Sequence, residues 1–85
     1  MAATITLHQF EQIDGLLSSI LRMGPFETCA DPRGYIRTSN ILFDHVVDAM
    51  GFAYADDFAC PVEAAAAVVT DALLCKIDVV DREDA

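Results

Sequence analysis

Apolar positions recur with a helical period from the start of the chain. Leu7, Phe10, Ile13, Leu17, Ile20 and Leu21 fall on one side of a 3.6-residue repeat, and Glu11, Gly15, Ser18, Ser19 and Arg22 fall on the other. Thr6 and Gln9 have the spacing of a capping box, in which each satisfies an N–H that a helix start leaves unpaired. Ile5 and Phe10 flank that cap as a hydrophobic staple would. Gly24 followed by Pro25 ends the first helix, because Gly accepts the left-handed C-terminal conformation and Pro cannot continue the helix.

The next stretch loses the helical period. Residues 26–38 read as a short hairpin: "FETCA", the turn "DPRG", then "YIRT". Asp31, Pro32 and Gly34 occupy the first, second and fourth places of a type I turn, and Gly34 is expected at positive φ. Helical periodicity resumes at about Asn40, with Thr38 or Ser39 as cap and Gly51 as the stop after Met50. Leu42, Phe43, Val46, Val47 and Met50 face inward, while Asp44, His45 and Asp48, with Ile41 among them, face outward.

"FAYADDFAC" is a connection, with one helical turn after Asp56 as an option. Pro61 opens a third helix at its first position, and Glu63 in the first turn suits the positive end of the helix dipole. Val62, Val69, Leu73 and Ile77 share an apolar side with several alanines; Glu63, Thr70, Asp71 and Asp78 share the other. The helix is read to about residue 78, the alternative being an end near Cys75 with "KIDVV" as a last strand. Cys75, inside an apolar run, is expected in the core. The pattern predicts a mainly α, small single domain of three helices, with a short β-hairpin between the first and second helix. The domain spans 1–85, with 81–85 expected to be a disordered acidic tail.

Composition changes this picture in one respect. A 54% apolar content suffices for one core. Five Lys and Arg against fourteen Asp and Glu give a net charge of −9. Such a surface disfavours nucleic acid and anionic membrane and favours a partner with a basic surface. The sequence has neither the basic start and apolar run of a signal peptide nor an apolar stretch of membrane-spanning length. Three cysteines with no C-x-x-C pair read as free thiols in a reducing cytoplasm.

Candidate chemistry is sparse. "CADPRGYIRTSN", Cys29 to Asn40, has the length of an EF-hand calcium loop with Gly in its sixth place, and "GYIRTSNILFDHVVDAMG" resembles the second half of an EF-hand. The oxygen-ligand slots, however, hold Cys29, Asp31, Arg33, Arg37 and Asn40. One carboxylate and two cations do not make a calcium site, and none is expected. Ser39, ahead of an apolar-patterned helix, resembles the serine that carries phosphopantetheine in acyl carrier proteins. That family's Asp-Ser-Leu is Thr38-Ser39-Asn40 here, and capping explains Ser39 without modification. His45 and its acidic neighbours lack the tight Cys/His spacing of a zinc site. No nucleophile has a base placed by motif, so no catalytic residue, metal or cofactor is assigned.

Two apolar residues remain on otherwise polar faces: Ile41 with Asp44 and Asp48, and Leu74 with Asp71 and Asp78. An apolar anchor ringed by charge has the composition of a docking surface, and these six residues are the candidate partner-binding set. The expected function is that of a small acidic non-enzymatic protein docking on a basic surface of a partner protein, in one form as an inhibitor blocking a nucleic-acid-binding site. Small acidic phage proteins that inhibit host defences, such as anti-CRISPR proteins, are similar in size and charge. The alternatives are a self-associating helical module, as in a homodimer, and an acyl-carrier-like protein modified at Ser39.

Overall fold

The computed structural model describes residues 3–81. The order of elements is strand β1 (Ala3–Thr6), helix α1 (Leu7–Arg22), a 3-10 turn (Phe26–Thr28), helix α2 (Pro32–Met50), helix α3 (Phe52–Asp56), helix α4 (Pro61–Leu73) and strand β2 (Ile77–Val80). The protein is mainly helical, with four helices among the described residues rather than the three expected. Helices α1, α2 and α4 pack on one another. Their shared core is built around Ile13, Leu17, Ile20, Leu42, Val46 and Val68, with the small residues Ala64 and Ala65 letting α4 approach closely.

Helix α1 starts as the capping box predicts. The Gln9 N–H donates to Thr6 Oγ1 at 3.0 Å, and the Thr6 N–H donates to Gln9 Oε1 at 2.8 Å. The residues before it form strand β1. β1 pairs in parallel with β2, Ala3 opposite Ile77 and Thr6 opposite Val80. Ile5 and Ile77 point into the core from this two-stranded sheet. Leu21, expected inward, is exposed at the end of α1.

The predicted hairpin is replaced by the first turns of α2. Asp31 is the N-cap: its carboxylate accepts from the Gly34 N–H at 3.1 Å, and Pro32 follows at the first helical position. A type I turn and the first turn of a helix share nearly the same dihedrals, so "DPRG" suits both, and packing of Tyr35 against Phe26 and the core extends it as helix. Gly34 is therefore not at positive φ. It is buried, and a Cβ there would meet the Asp31 carboxylate. Thr38 and Ser39 lie inside α2, half-buried, and do not cap it. The end at Gly51 is as expected, with φ 93° and its N–H donating to the Val47 carbonyl at 2.8 Å. The inward residues of the second half of α2 are also as read: Leu42 and Val46 are fully buried and Phe43, Val47 and Met50 pack against them.

The connection after Gly51 holds α3, one turn earlier than the option considered. Helix α4 stops at Leu73, and the "KIDVV" alternative is the observed one, with β2 over Ile77–Val80. The stop is a Schellman motif: the Lys76 N–H donates to the Asp71 carbonyl at 2.7 Å and the Cys75 N–H to that of Ala72 at 3.2 Å. Cys75 fills the position usually held by glycine, at φ 61°, and is exposed rather than in the core. Lys76 is exposed as well, and no longer falls on a helix face. Asp81 is exposed; the rest of the predicted acidic tail, 82–85, lies outside the described residues.

Candidate functional site

Ile41, Asp44 and Asp48 share the outer side of α2. Ile41 is 41% exposed, and Asp44 and Asp48 are exposed beside it, one turn apart. The helix holds them in line, because its opposite side is fixed by buried Leu42 and Val46. Gln9 Nε2 donates to Asp48 Oδ2 at 3.2 Å, which ties the C-terminal end of α2 to the capped start of α1. His45, on the edge of this face, is half-buried.

The other predicted group does not come together as one helix face. Asp71 is in α4, Leu74 is in the turn that ends it, and Asp78 is in β2. Leu74 is 60% exposed and Asp78 is exposed, but Asp71 is half-buried and faces Tyr54. The Tyr54 hydroxyl is buried and has no hydrogen-bond partner among the described residues; Asp71 lies near it without reaching hydrogen-bond geometry. Burial first, and then the Asp71 charge, raise the Tyr54 pKa above its ordinary 10.0. Asp71 is thus less open to solvent than Leu74 and Asp78.

Sequence reasoning missed Arg33 and Arg37 by placing them in a hairpin. With α2 beginning at Pro32, both are exposed and in line with Asp44 and Asp48. The signal that could have found them is the Asp31–Pro32 pair read as N-cap and first helical residue.

Two shallow clefts flank α2. One, of about 290 Å³, is lined by Ile20, Leu21, Pro25, Tyr35 and Val62 and is apolar. The other, of about 310 Å³, lies between α2 and α3, with Phe43, Ala55, Asp56, Phe58 and Cys60 on its walls. Neither joins a nucleophile to a histidine base. The Cys29–Asn40 stretch is helix from Pro32 onward, so its would-be ligand positions spiral around α2 instead of converging on one point. Among the described residues no three His, Cys, Asp or Glu side chains are grouped to hold a metal ion, and no helix is long and apolar enough to cross a membrane. Comparison with known protein families, with curated proteins and with solved structures finds no match.

Proposed function

We propose that this chain is a non-enzymatic binding protein that docks on a basic surface of a partner protein through the acidic half of α2. The observation that carries the reading is the alignment of exposed Asp44 and Asp48 beside exposed Ile41 on a rigid helix. An aliphatic anchor supplies contact that slows dissociation, and the carboxylates steer the encounter. The net charge of −9 extends that steering over the whole surface. In its sharpest form the partner's basic surface is one that otherwise holds nucleic acid, and the chain acts as an inhibitor by occupying it. Leu74 and Asp78 are a secondary contact in this reading, and the three free thiols favour a cytoplasmic setting. The acyl-carrier alternative receives less support, since Ser39 sits half-buried inside α2 instead of at a helix start.

The test is surface plasmon resonance against a partner obtained by pull-down, at several salt concentrations. Asp44→Asn and Asp48→Asn should mainly slow association, and Ile41→Ser should mainly speed dissociation. Affinity independent of salt and of both aspartates would overturn the reading and leave the charge a solubility feature.

A further inference from the structure

We infer that α2 pairs with α2 of a second copy of this chain, antiparallel, in a symmetric dimer. This rests on the docking reading of the acidic half of α2, and names as its partner the basic half of the same helix in another molecule. The exposed stripe of α2 begins with Arg33 and Arg37, passes Asn40 and Ile41, and ends with Asp44 and Asp48. Its spacing reads the same in both directions. At about 100° per residue, the four charged side chains lie within about 30° of one line along the helix. An antiparallel partner centred between Asn40 and Ile41 then sets Arg37 opposite Asp44 and Arg33 opposite Asp48. The two-fold axis repeats both pairs, so every charge on the stripe meets its opposite. Ile41 lies at the centre, where the two-fold axis sets it beside Ile41 of the second copy, with Asn40 beside Asn40 on the other flank. Ile36, 50% exposed, lies at one edge of the seam, and His45 lies at the other.

The isolated helix gives a second argument. Arg33 and Arg37 are like charges one turn apart, as are Asp44 and Asp48, and each such pair is unfavourable on a single helix. Arg33 also sits in the first turn and Asp48 near the last, each at the helix end whose dipole repels it. Among the described residues neither arginine has a hydrogen-bond partner, whereas Arg22 reaches Ser19. Antiparallel pairing reverses all of these terms together: it opposes the two dipoles and alternates the charges. The stripe is about 22 Å long. Its contact area is smaller than the roughly 800 Å² per partner of a standard interface, so a weak dimer is expected, forming at high micromolar to millimolar concentration.

Sedimentation equilibrium of the full chain tests this, over a concentration series up to millimolar. A salt concentration of about 0.15 M screens the repulsion between remote charges to roughly 8 Å. The wild-type chain should show a monomer–dimer equilibrium. Arg33→Asp with Arg37→Asp makes the stripe wholly acidic, and Asp44→Arg with Asp48→Arg makes it wholly basic. Each variant alone should dissociate more than about tenfold more readily than wild type. An equimolar mixture of the two should form a one-to-one heterodimer, and all four changes in one chain should restore the homodimer. Circular dichroism checks that each variant is folded. A chain that stays monomeric throughout, a dimer indifferent to these changes, or a mixture that does not re-associate overturns the inference. If the chain is monomeric while Asp44→Asn and Asp48→Asn still weaken capture of a basic partner, the dimer falls and the docking reading stands.

Discussion

Replacing Cys75 by glycine should stabilise the protein. Cys75 occupies the left-handed position of the motif that ends α4, at φ 61°, and its side chain is exposed. An L-residue there costs about 1–2 kcal/mol relative to its preferred conformations, a penalty that glycine lacks. Glycine also widens the unfolded ensemble, which takes back about 0.5–1 kcal/mol. The two hydrogen bonds of the motif come from the backbone and survive the change. The net expectation is a gain of about 0.5–1 kcal/mol. In a domain of this size that raises Tm by about 2–8 °C. Thermal and urea denaturation under reducing conditions measure it, with Cys75→Ala as the control that removes the thiol and keeps the strained backbone. If glycine gives no more stability than alanine, the left-handed conformation is not costing what the geometry implies.

Two further predictions concern side chains that the fold uses internally. Asp31→Ala should cost about 1 kcal/mol by removing the N-cap of α2; Gly34→Ala should gain little alone, because its Cβ must displace the Asp31 carboxylate, but about 1 kcal/mol in the Asp31→Ala background, where helix propensity acts unopposed. A double-mutant cycle by urea denaturation checks this, and additivity within about 0.3 kcal/mol would refute it. Tyr54 holds its proton more tightly when folded than unfolded, so stability should fall as pH rises through 10.0 and above. Tyr54→Phe should remove that part of the alkaline loss without weakening the protein at neutral pH, since it deletes a buried hydroxyl that has no partner; an unchanged alkaline profile, read by circular dichroism against pH, would contradict the assignment.

What was legible in the sequence was what local chemistry determines. The start of α1 rests on Thr6 and Gln9, and the inward face of the second half of α2 rests on Leu42, Val46 and their neighbours. For that reason Ile41, Asp44 and Asp48 were found on the correct side of a helix. The first half of α2 was misread because Asp31–Pro32 begins a turn and a helix with the same dihedrals, and only packing beyond the turn separates them. Gly34 sharpened the error: it reads as a turn glycine, yet its lack of a Cβ makes room for the capping carboxylate. The end of α4 was missed because the Schellman position holds Cys75 in place of the glycine that usually marks it. The sheet joins two four-residue strands at opposite ends of the chain, a non-local pairing with no local signature. Losing the end of α4 then put Asp78 on a helix face that does not exist; it lies in β2, on a different element from Asp71 in α4.

The charge order of α2 connects these errors to function. Read as a hairpin followed by a short helix, the chain separates its arginines from its aspartates, and the acidic residues look like a one-sided surface. Read as one helix of nineteen residues, the same side chains form a polarised stripe, basic at the end where a helix repels cations and acidic where it repels anions. Local consistency would place these charges the other way round. The fold compensates with backbone devices that do not involve the stripe: the Asp31 cap and Pro32 at one end, and Gly51 closing on Val47 at the other. The variant that exchanges all four charges separates the two roles. It should melt above the wild-type chain, because each charge then sits at its favourable helix end, and it should still associate, because the antiparallel pairing is preserved. Among the described residues the stripe has one side-chain hydrogen bond within the molecule, from Gln9 to Asp48, and its order does not serve its own helix; the proposed antiparallel pairing is the arrangement in which that order becomes favourable.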